Sequence, residues 1–312
     1  MRAVQWLAIV LFAGACSADG VEEDAFPVDD FTDGKADGAA PVGQTLVLDL
    51  EHAAFPDVKR PGAVVYIPHG FDATPPLNVV VYLHGMYNCA TNVVRSTPSS
   101  CDPGRTPVRR NANLAAQMEA SGKNAILVVP QLPYDKPSSA AGALGKDFGF
   151  YDLLDEVIGK VPALVEAGVT IADVDHTVVV SHSGGYRAAA GIAVRGGIWV
   201  QEVYLTDSFY GAVADYDAWI NEDLEAYRAD PWTRRFVSIY TAGAGDTLKN
   251  SQAMARRYAG TNVLDDRTVT PLAMSDYDHG MIFKRTSIDH RDVDKYYFSR
   301  LVATSRLPDK HP

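Results

Sequence analysis

Three short apolar runs, placed well apart in the chain, constrain the fold more than any other feature of the sequence. They are Val79–Leu83, Ile126–Val129 and Val178–Val180, and none of them alternates with polar residues. A strand with one solvent-facing side alternates, whereas a strand covered on both faces stays apolar throughout. The runs therefore predict buried strands in a parallel sheet with helices on both sides.

Segments with helical periodicity separate these runs. Asn113–Ser121 and Asp292–Val302 are predicted helices, and Phe150–Ala167 is a third that Pro162 should break or kink. Strands that alternate with helices indicate an α/β fold with a mostly parallel central sheet, in one domain over 41–312. The predicted strands are Leu46–Leu50, Val64–Ile67, Val79–Leu83, Ala125–Pro130, Thr177–Val180, Val203–Leu205 and Phe236–Thr241, with a last one near Val269–Met274.

The sharpest chemical signal is VVVSHSGGYRAAA, residues 178–190, in which a buried strand runs into a tight turn and then into an Ala-rich helix. Ser183 stands at the apex, with the small residues Ser181 and Gly185 two positions to either side. A nucleophile elbow needs this pattern, because bulk at either flank would clash where strand and helix approach. A glycine-rich turn without chemistry is the other interpretation, and the buried strand before it favours the nucleophile.

A second turn, His84-Gly85-Met86, follows the buried run Val79–Leu83. With the elbow it resembles the α/β-hydrolase family, in which a His-Gly turn after the third strand helps to build the oxyanion hole. The resemblance implies an α/β-hydrolase fold, with the backbone N–H groups of Met86 and Gly184 stabilising a tetrahedral oxyanion. His84 would support the turn rather than act as a base.

A serine nucleophile needs a histidine base. The resemblance favours His279, which lies in a polar loop between the predicted last strand and the terminal helix. His182 belongs to the elbow, but its side chain should point away from Ser183. The remaining histidines lie at strand starts, in remote loops or in the tail, and they are His52, His69, His176, His290 and His311.

Two residues are candidates for the acid that orients the histidine. Asp246 follows Phe236–Thr241 in the family's usual position, and Asp207 follows Val203–Leu205 in the position that some lipases use. Both precede His279 and keep the order nucleophile, acid, histidine. The sequence leaves the choice open.

These residues predict a serine hydrolase that cleaves carboxylic esters, small or polymeric, through an acyl-enzyme and without a cofactor. Tyr87, Phe209 and Tyr210 are candidates for substrate contacts. An amidase or peptidase with the same triad, and a non-catalytic binding protein on this scaffold, are the alternatives. The chain has no phosphate-binding glycine loop and no zinc motif, so no metal is expected.

The first forty residues predict export. Arg2, the apolar stretch after it and the small residues up to Ala15 are typical of a signal peptide over 1–15. Cys16 at the cleavage point resembles the acylated cysteine of bacterial lipoproteins, which implies an outer-membrane lipid anchor; simple cleavage and secretion is the alternative. The acidic segment 16–40 reads as a disordered tether.

Cysteine use and charge agree with export. If Cys16 carries lipid, Cys89 and Cys101 remain as a pair that an oxidising compartment could join, although two free thiols are the alternative. The net charge is −11, and eight of the 39 acidic residues lie in 16–40, so the remaining chain is mildly acidic. Such a domain has no basic face for nucleic acid, and its membrane contact would be limited to the lipid.

Overall fold

A nine-stranded sheet forms the centre of the molecule in the computed structural model, which describes residues 43–58, 61–230, 233–243 and 245–310. Its strand order is β1-β2-β6-β3-β7-β8-β9-β11-β10, and a separate two-stranded ribbon pairs β4 with β5. The strands are β1 Gln44–Leu48, β2 Ala63–Ile67, β3 Leu77–Leu83, β4 Ser99–Ser100, β5 Val108–Arg109, β6 Ile126–Pro130, β7 Val174–His182, β8 Glu202–Thr206, β9 Arg235–Thr241, β10 Val263–Asp266 and β11 Met281–Thr286.

The sheet is mostly parallel, as the continuous apolar runs predict. In the described sheet β2 is antiparallel to both β1 and β6, and every other neighbouring pair is parallel. All seven residues of β3 are buried, so this strand is covered on both faces. Parallel strands bring their carboxyl ends to one edge of the sheet, which we call the carboxyl edge; the opposite edge is the amino edge.

Helices cover both faces of the sheet. They are α1 Ala90–Val94, α2 Leu114–Ser121, α3 Gly149–Lys160, α4 Pro162–Glu166, α5 Tyr186–Arg195, α6 Val213–Asn221, α7 Leu224–Ala229, α8 Thr247–Arg257 and α9 Val293–Ala303. One apolar core contains α3, α5, α6 and α8, and the other contains α1, α2 and α9. Val81 faces the first core and Tyr82 the second, because successive side chains of a strand point to opposite sides. The predicted two-sided layer arrangement is confirmed.

The interruption at Pro162 is also confirmed. Helix α3 ends at Lys160, and Pro162 begins α4, where its missing N–H removes no helical hydrogen bond. The ring would have clashed with the preceding turn inside a continuous helix. The segment Phe150–Ala167 is therefore two helices rather than one.

The predicted last strand near Val269–Met274 is wrong. Residues 269–273 have no regular structure, and Met274 begins a short 3-10 turn. The last two strands of the sheet are β10 and β11, on either side of that segment. Because the last strand lies further along the chain than predicted, the loop after it, where the catalytic histidine is expected, also lies further along.

The signal-peptide, lipidation and tether predictions, including Cys16, lie outside the described residues. The residues that the structure describes all belong to one compact unit, Pro41–Pro312. Among the helices of this unit, none combines the length and the apolarity that crossing a bilayer requires.

Candidate active site

Ser183 occupies a sharp turn directly after β7. Its φ is +50°, in the left-handed region that a residue with a Cβ seldom adopts, and it opens a 3-10 turn that leads into α5. Gly185 packs so closely on β3 that a Cβ there would lie 2.4 Å from the carbonyl oxygen of Leu83. The small residue is therefore a steric requirement of the turn, as the elbow pattern predicts.

Ser183 is hydrogen-bonded to a histidine, and that histidine is hydrogen-bonded to a carboxylate. The Nε2 atom of His290 lies 3.0 Å from the Oγ of Ser183, and its Nδ1 lies 2.8 Å from Oδ2 of Asp207. A carboxylate only accepts hydrogen bonds, so Nδ1 carries a proton and Nε2 is free to accept the serine proton. The three side chains form a continuous hydrogen-bonded chain at the carboxyl edge.

Asp207 is held firmly for this position. It follows β8, is fully buried, and accepts hydrogen bonds from the Thr241 amide at 3.1 Å, the Thr241 hydroxyl at 2.7 Å and the Thr247 hydroxyl at 2.9 Å. Burial by itself would raise the pKa of this carboxyl, but the hydrogen bonds from His290 and Thr241 outweigh it and lower the pKa. Asp207 is thus a fixed carboxylate.

Asp246, the other candidate, lies elsewhere. It is exposed and stands at the N-terminus of α8, next to Thr247. Of the two open alternatives, the structure brings Asp207 to the histidine, and Asp246 occupies a helix-terminal position.

The prediction that His279 reaches Ser183 is wrong. His279 lies two residues before β11, at the amino edge, and its Nδ1 donates to the carbonyl of Asp276 at 3.0 Å. The six residues of β11 span about 20 Å, so the strand separates His279 from the carboxyl edge. His290 follows the other end of β11, whereas a last strand near Val269–Met274 makes His279 the first histidine after that strand. An apolar Met281-Ile282-Phe283 run was the signal that could have located β11.

The turn after β3 is built around a buried histidine. His84 accepts the backbone N–H of Leu132 at its Nε2, at 2.9 Å, so its Nδ1 carries the proton and donates to the Gly85 carbonyl at 2.9 Å. Burial lowers the pKa of His84 to about 4, which keeps the ring neutral. Because a trans peptide points its N–H opposite to its carbonyl, the Met86 amide is turned away from His84.

Met86 and Gly184, whose amides are expected to form the oxyanion hole, are close neighbours in space. A Cβ on Gly184 would be 3.2 Å from the backbone nitrogen of Met86, and a Cβ on Gly85 would be 2.9 Å from the Cβ of Ser183. Gly184 is in the first turn of the 3-10 helix, where amides have no acceptor within the helix. The turn after β3 therefore contacts the elbow.

His182 braces the histidine loop. Its ring stacks on that of His290 with centroids 5.0 Å apart, and its Nε2 donates to the His290 carbonyl at 2.8 Å. Its other nitrogen lies 4.0 Å from the buried carboxylate of Asp294, which also accepts the hydroxyl of Tyr82. The side chain of His182 is thus engaged with the loop that carries His290, and no hydrogen bond joins it to Ser183 among the described contacts.

The three candidate substrate contacts have different surroundings. Tyr210 meets the His290 ring edge-on at 6.2 Å, and burial, followed by the negative charge of Asp207, raises its pKa to about 12. Tyr87 is 36% exposed next to Met86, with a φ of +62°. The expectation for Phe209 is wrong, because that ring is fully buried in the core against the ring of Phe236 at 5.7 Å.

Cys89 and Cys101 form the predicted disulfide, with their Cα atoms 5.7 Å apart. Both are fully buried. The bond closes a loop that begins shortly after the His84-Gly85-Met86 turn. Within the residues that the structure describes, no three His, Cys, Asp or Glu side chains come together as a metal site would require.

Comparison with known proteins relates the chain to others by fold. No protein-family model and no curated protein sequence matches it. The feruloyl esterase module from Clostridium thermocellum, a serine-to-alanine variant complexed with sinapinate, has a TM-score of 0.54 at 14% identity, over 87% of this chain and 91% of that one. A structure described as FAE has a TM-score of 0.53 at 14% identity, over 87% of this chain and 91% of that one. S-formylglutathione hydrolase from Agrobacterium tumefaciens has a TM-score of 0.46 at 13% identity, over 86% of this chain and 98% of that one. The fold of this chain is that of the α/β-hydrolases.

Proposed function

We propose that the protein is a serine hydrolase that cleaves carboxylic esters, with Ser183 as nucleophile, His290 as base and Asp207 as the acid that orients the base. The observation that carries this proposal is the hydrogen-bonded chain from Ser183 Oγ through the His290 ring to Asp207, with distances of 3.0 and 2.8 Å. A serine hydroxyl is a weak nucleophile, and an adjacent oriented imidazole is what activates it.

In the first half of the reaction, Ser183 Oγ attacks the ester carbonyl carbon while its proton passes to His290 Nε2. The carbonyl oxygen becomes an oxyanion, which the amides of Met86 and Gly184 stabilise. Asp207 stabilises the imidazolium without taking its proton. When the tetrahedral intermediate collapses, the bond to the leaving alkoxide breaks, and His290 donates the proton to that oxygen.

In the second half, water replaces the alcohol. His290 takes one proton from the water while its oxygen attacks the acyl carbon, and the same oxyanion hole serves again. Collapse of this intermediate breaks the bond to Ser183 Oγ, which recovers its proton from His290. The products are a carboxylic acid and the free enzyme, so the cycle requires no cofactor.

Two arguments favour esters over amides. An alkoxide leaving group demands less of the general acid than an amine does, so the same triad cleaves esters more readily. The feruloyl esterase module that shares the fold is itself an esterase, which supports the proposal by analogy of fold. Paired ester and anilide substrates with the same acyl group distinguish the two activities.

A fluorophosphonate probe and para-nitrophenyl esters test the proposal directly. We expect the wild-type protein to be labelled covalently and to hydrolyse the esters. Ser183→Ala should abolish labelling, and Ser183→Ala and His290→Ala should each lower kcat/KM by about 10⁴-fold or more. Labelling that persists in Ser183→Ala would refute the assignment of the nucleophile.

His279→Ala is the matched control. This histidine lies at the amino edge, bonded to the Asp276 carbonyl, so its loss should leave the rate of ester hydrolysis unchanged. A large loss in His279→Ala with retained activity in His290→Ala would overturn the assignment of the base. Absence of labelling in the wild-type protein would favour a non-catalytic binding protein.

A further inference from the structure

A cavity of about 750 Å³ opens beside His290, between the carboxyl ends of β9 and β11. The residues that define its character are Tyr210, Val269, Arg285, Thr286, Ile288 and His290. Tyr210 and His290 line the cavity and also belong to the candidate active site, so the cavity adjoins that site. None of the reaction steps proposed above assigns a part of the substrate to this cavity.

The direction of the reaction decides which part of an ester would enter the cavity. The ester carbonyl oxygen must face the amides of Met86 and Gly184, neither of which lines the cavity. The leaving oxygen must lie within hydrogen-bond reach of His290 Nε2, which protonates it. The alcohol part of the substrate therefore extends past His290 into this cavity.

One cationic side chain that lines the cavity, Arg285, has no ion-pair partner in the part of the chain that the structure describes. Among the described residues, no carboxylate lies within salt-bridge distance of Arg285, and its Nε is buried without a hydrogen-bond acceptor. The other arginine of the lining, Arg291, is satisfied by Asp289 through two contacts of 2.9 Å. Asp265, an acid on the neighbouring strand β10, is engaged by Arg267 at 2.7 Å.

Because no carboxylate among the described residues neutralises this guanidinium, the carboxylate of an incoming ligand can pair with it at the cavity wall. The planar fork of arginine suits a carboxylate better than a point charge would. Val269, Ile288 and the Tyr210 ring supply apolar surface to the same cavity. The space thus fits a hydrophobic alcohol or phenol that ends in an anionic group.

We propose that this cavity binds the alcohol part of the ester and that Arg285 selects alcohols that carry a carboxylate. The proposal rests on the proposed ester hydrolysis for its orientation. Arg285 is a specificity-determining residue in this scheme, and it takes no part in bond making.

Two matched substrates test the selection: the acetate ester of para-hydroxyphenylpropionate and the acetate ester of the corresponding amide. They have the same shape and a similar phenol leaving group, and they differ in one charge. We expect the wild-type protein to prefer the carboxylate in kcat/KM by about tenfold or more, and added salt should reduce the preference.

Arg285→Gln should bring the ratio of the two kcat/KM values close to one, and Arg285→Lys should restore part of it. Arg291→Gln removes a cation that Asp289 already neutralises, so it should keep the wild-type ratio. An equal ratio in the wild-type protein and Arg285→Gln would overturn the proposal. A ratio that collapses in Arg291→Gln instead would also overturn it.

Calorimetric titration with free para-hydroxyphenylpropionate separates this proposal from the proposed function. We expect Ser183→Ala to bind it more tightly than the amide, and the Ser183→Ala/Arg285→Gln double variant to lose that preference. If the proposed function fails, the wild-type protein neither reacts with fluorophosphonate nor cleaves either ester. If only the present inference fails, labelling and cleavage occur without dependence on Arg285.

Discussion

Ser183 and Asp207 share an unusual backbone conformation. Each follows the end of a parallel strand, and their φ values are +50° and +48°. This left-handed region is costly for residues with a Cβ, and it persists only where the surroundings impose it. In this protein, close packing of Gly185 on β3 and the buried hydrogen bonds to Asp207 impose it. The strain places both side chains on the carboxyl edge.

The roles of the two aspartates can be separated by isosteric substitution. Asp207→Asn keeps the shape but removes the charge that fixes the His290 tautomer, so kcat/KM should fall by on the order of 10³ to 10⁴-fold. Asp246→Asn changes an exposed residue at a helix terminus and should leave the rate unchanged. Steady-state kinetics on one ester, with circular dichroism to verify folding, measures both. A larger loss in Asp246→Asn would contradict the assignment.

At the scale of elements, the disulfide constrains the chain that follows the His84-Gly85-Met86 turn. Cys89 and Cys101 close a loop with a sequence separation of 12 that begins three residues after Met86. The cross-link removes conformational freedom from the unfolded chain, an effect of about 3 kcal/mol for a loop of this length. We expect the same bond to restrict Met86 and Tyr87, which directly precede the loop, in the folded state as well.

Replacing both cysteines by serine should lower the free energy of unfolding by about 2–3 kcal/mol. We also expect a lower kcat/KM, because the amide of Met86 then sits on a less restrained loop. Urea unfolding and ester kinetics of the double variant measure the two effects. Cys101→Ser alone, which leaves a thiol at Cys89, is the control for the loss of the bond itself. An unchanged unfolding midpoint in both variants would contradict this account.

Burial explains which elements the sequence predicts correctly. Strands β3, β6 and β7 are covered on both faces, so their apolar runs are unbroken and their positions are confirmed. Strand β11 lies near the edge of the sheet, and its second half contains the charged residues Lys284 and Arg285, which are typical of a surface segment. Lys284 is nevertheless fully buried and donates to Asp266 and Thr268.

The wrong choice of His279 over His290 has the same cause, because it depends on where β11 lies. Once β11 is recognised, His290 is the histidine in the loop between the last strand and the terminal helix, where the family resemblance expects it. The choice between Asp207 and Asp246 needed the sheet order, because both follow strands that end at the carboxyl edge. The elbow and the His-Gly turn needed only local sequence, and they were located correctly.

At the scale of the whole molecule, a buried ionic cluster ties the strands together at the amino edge. Glu202 on β8 accepts His176 Nε2 at 2.8 Å, the Arg306 amide at 2.8 Å and Arg235 at 3.5 Å. Burial would raise the pKa of Glu202, but the hydrogen bond from His176 and the charge of Arg235 lower it below its usual value. The cluster joins β7, β8 and β9 to the end of the chain.

Glu202→Gln should destabilise the protein at neutral pH by about 3–5 kcal/mol, because it removes the buried carboxylate that Arg235 and His176 share. Since the folded-state pKa is lowered, the contribution of Glu202 is complete above its unfolded pKa of 4.5 and is lost as pH falls through the folded value. Glutamine resembles the protonated acid, so the wild-type protein and the variant should converge in acid.

Urea unfolding at neutral pH and at about pH 3 measures this convergence. Glu225→Gln, at an exposed glutamate of α7, is the matched control and should show no effect at either pH. A gap between the wild-type protein and Glu202→Gln that stays constant between the two pH values would contradict the account.

Ser183, Asp207 and His290 all follow the ends of parallel strands, and so does the turn that carries Met86. Every residue of the proposed reaction consequently lies on one rim of the sheet. A preparation immobilised through the far rim, for instance at the half-exposed ring of Trp199 just before β8, would present its entire working face to the liquid. An attachment near the disulfide loop would instead obstruct entry.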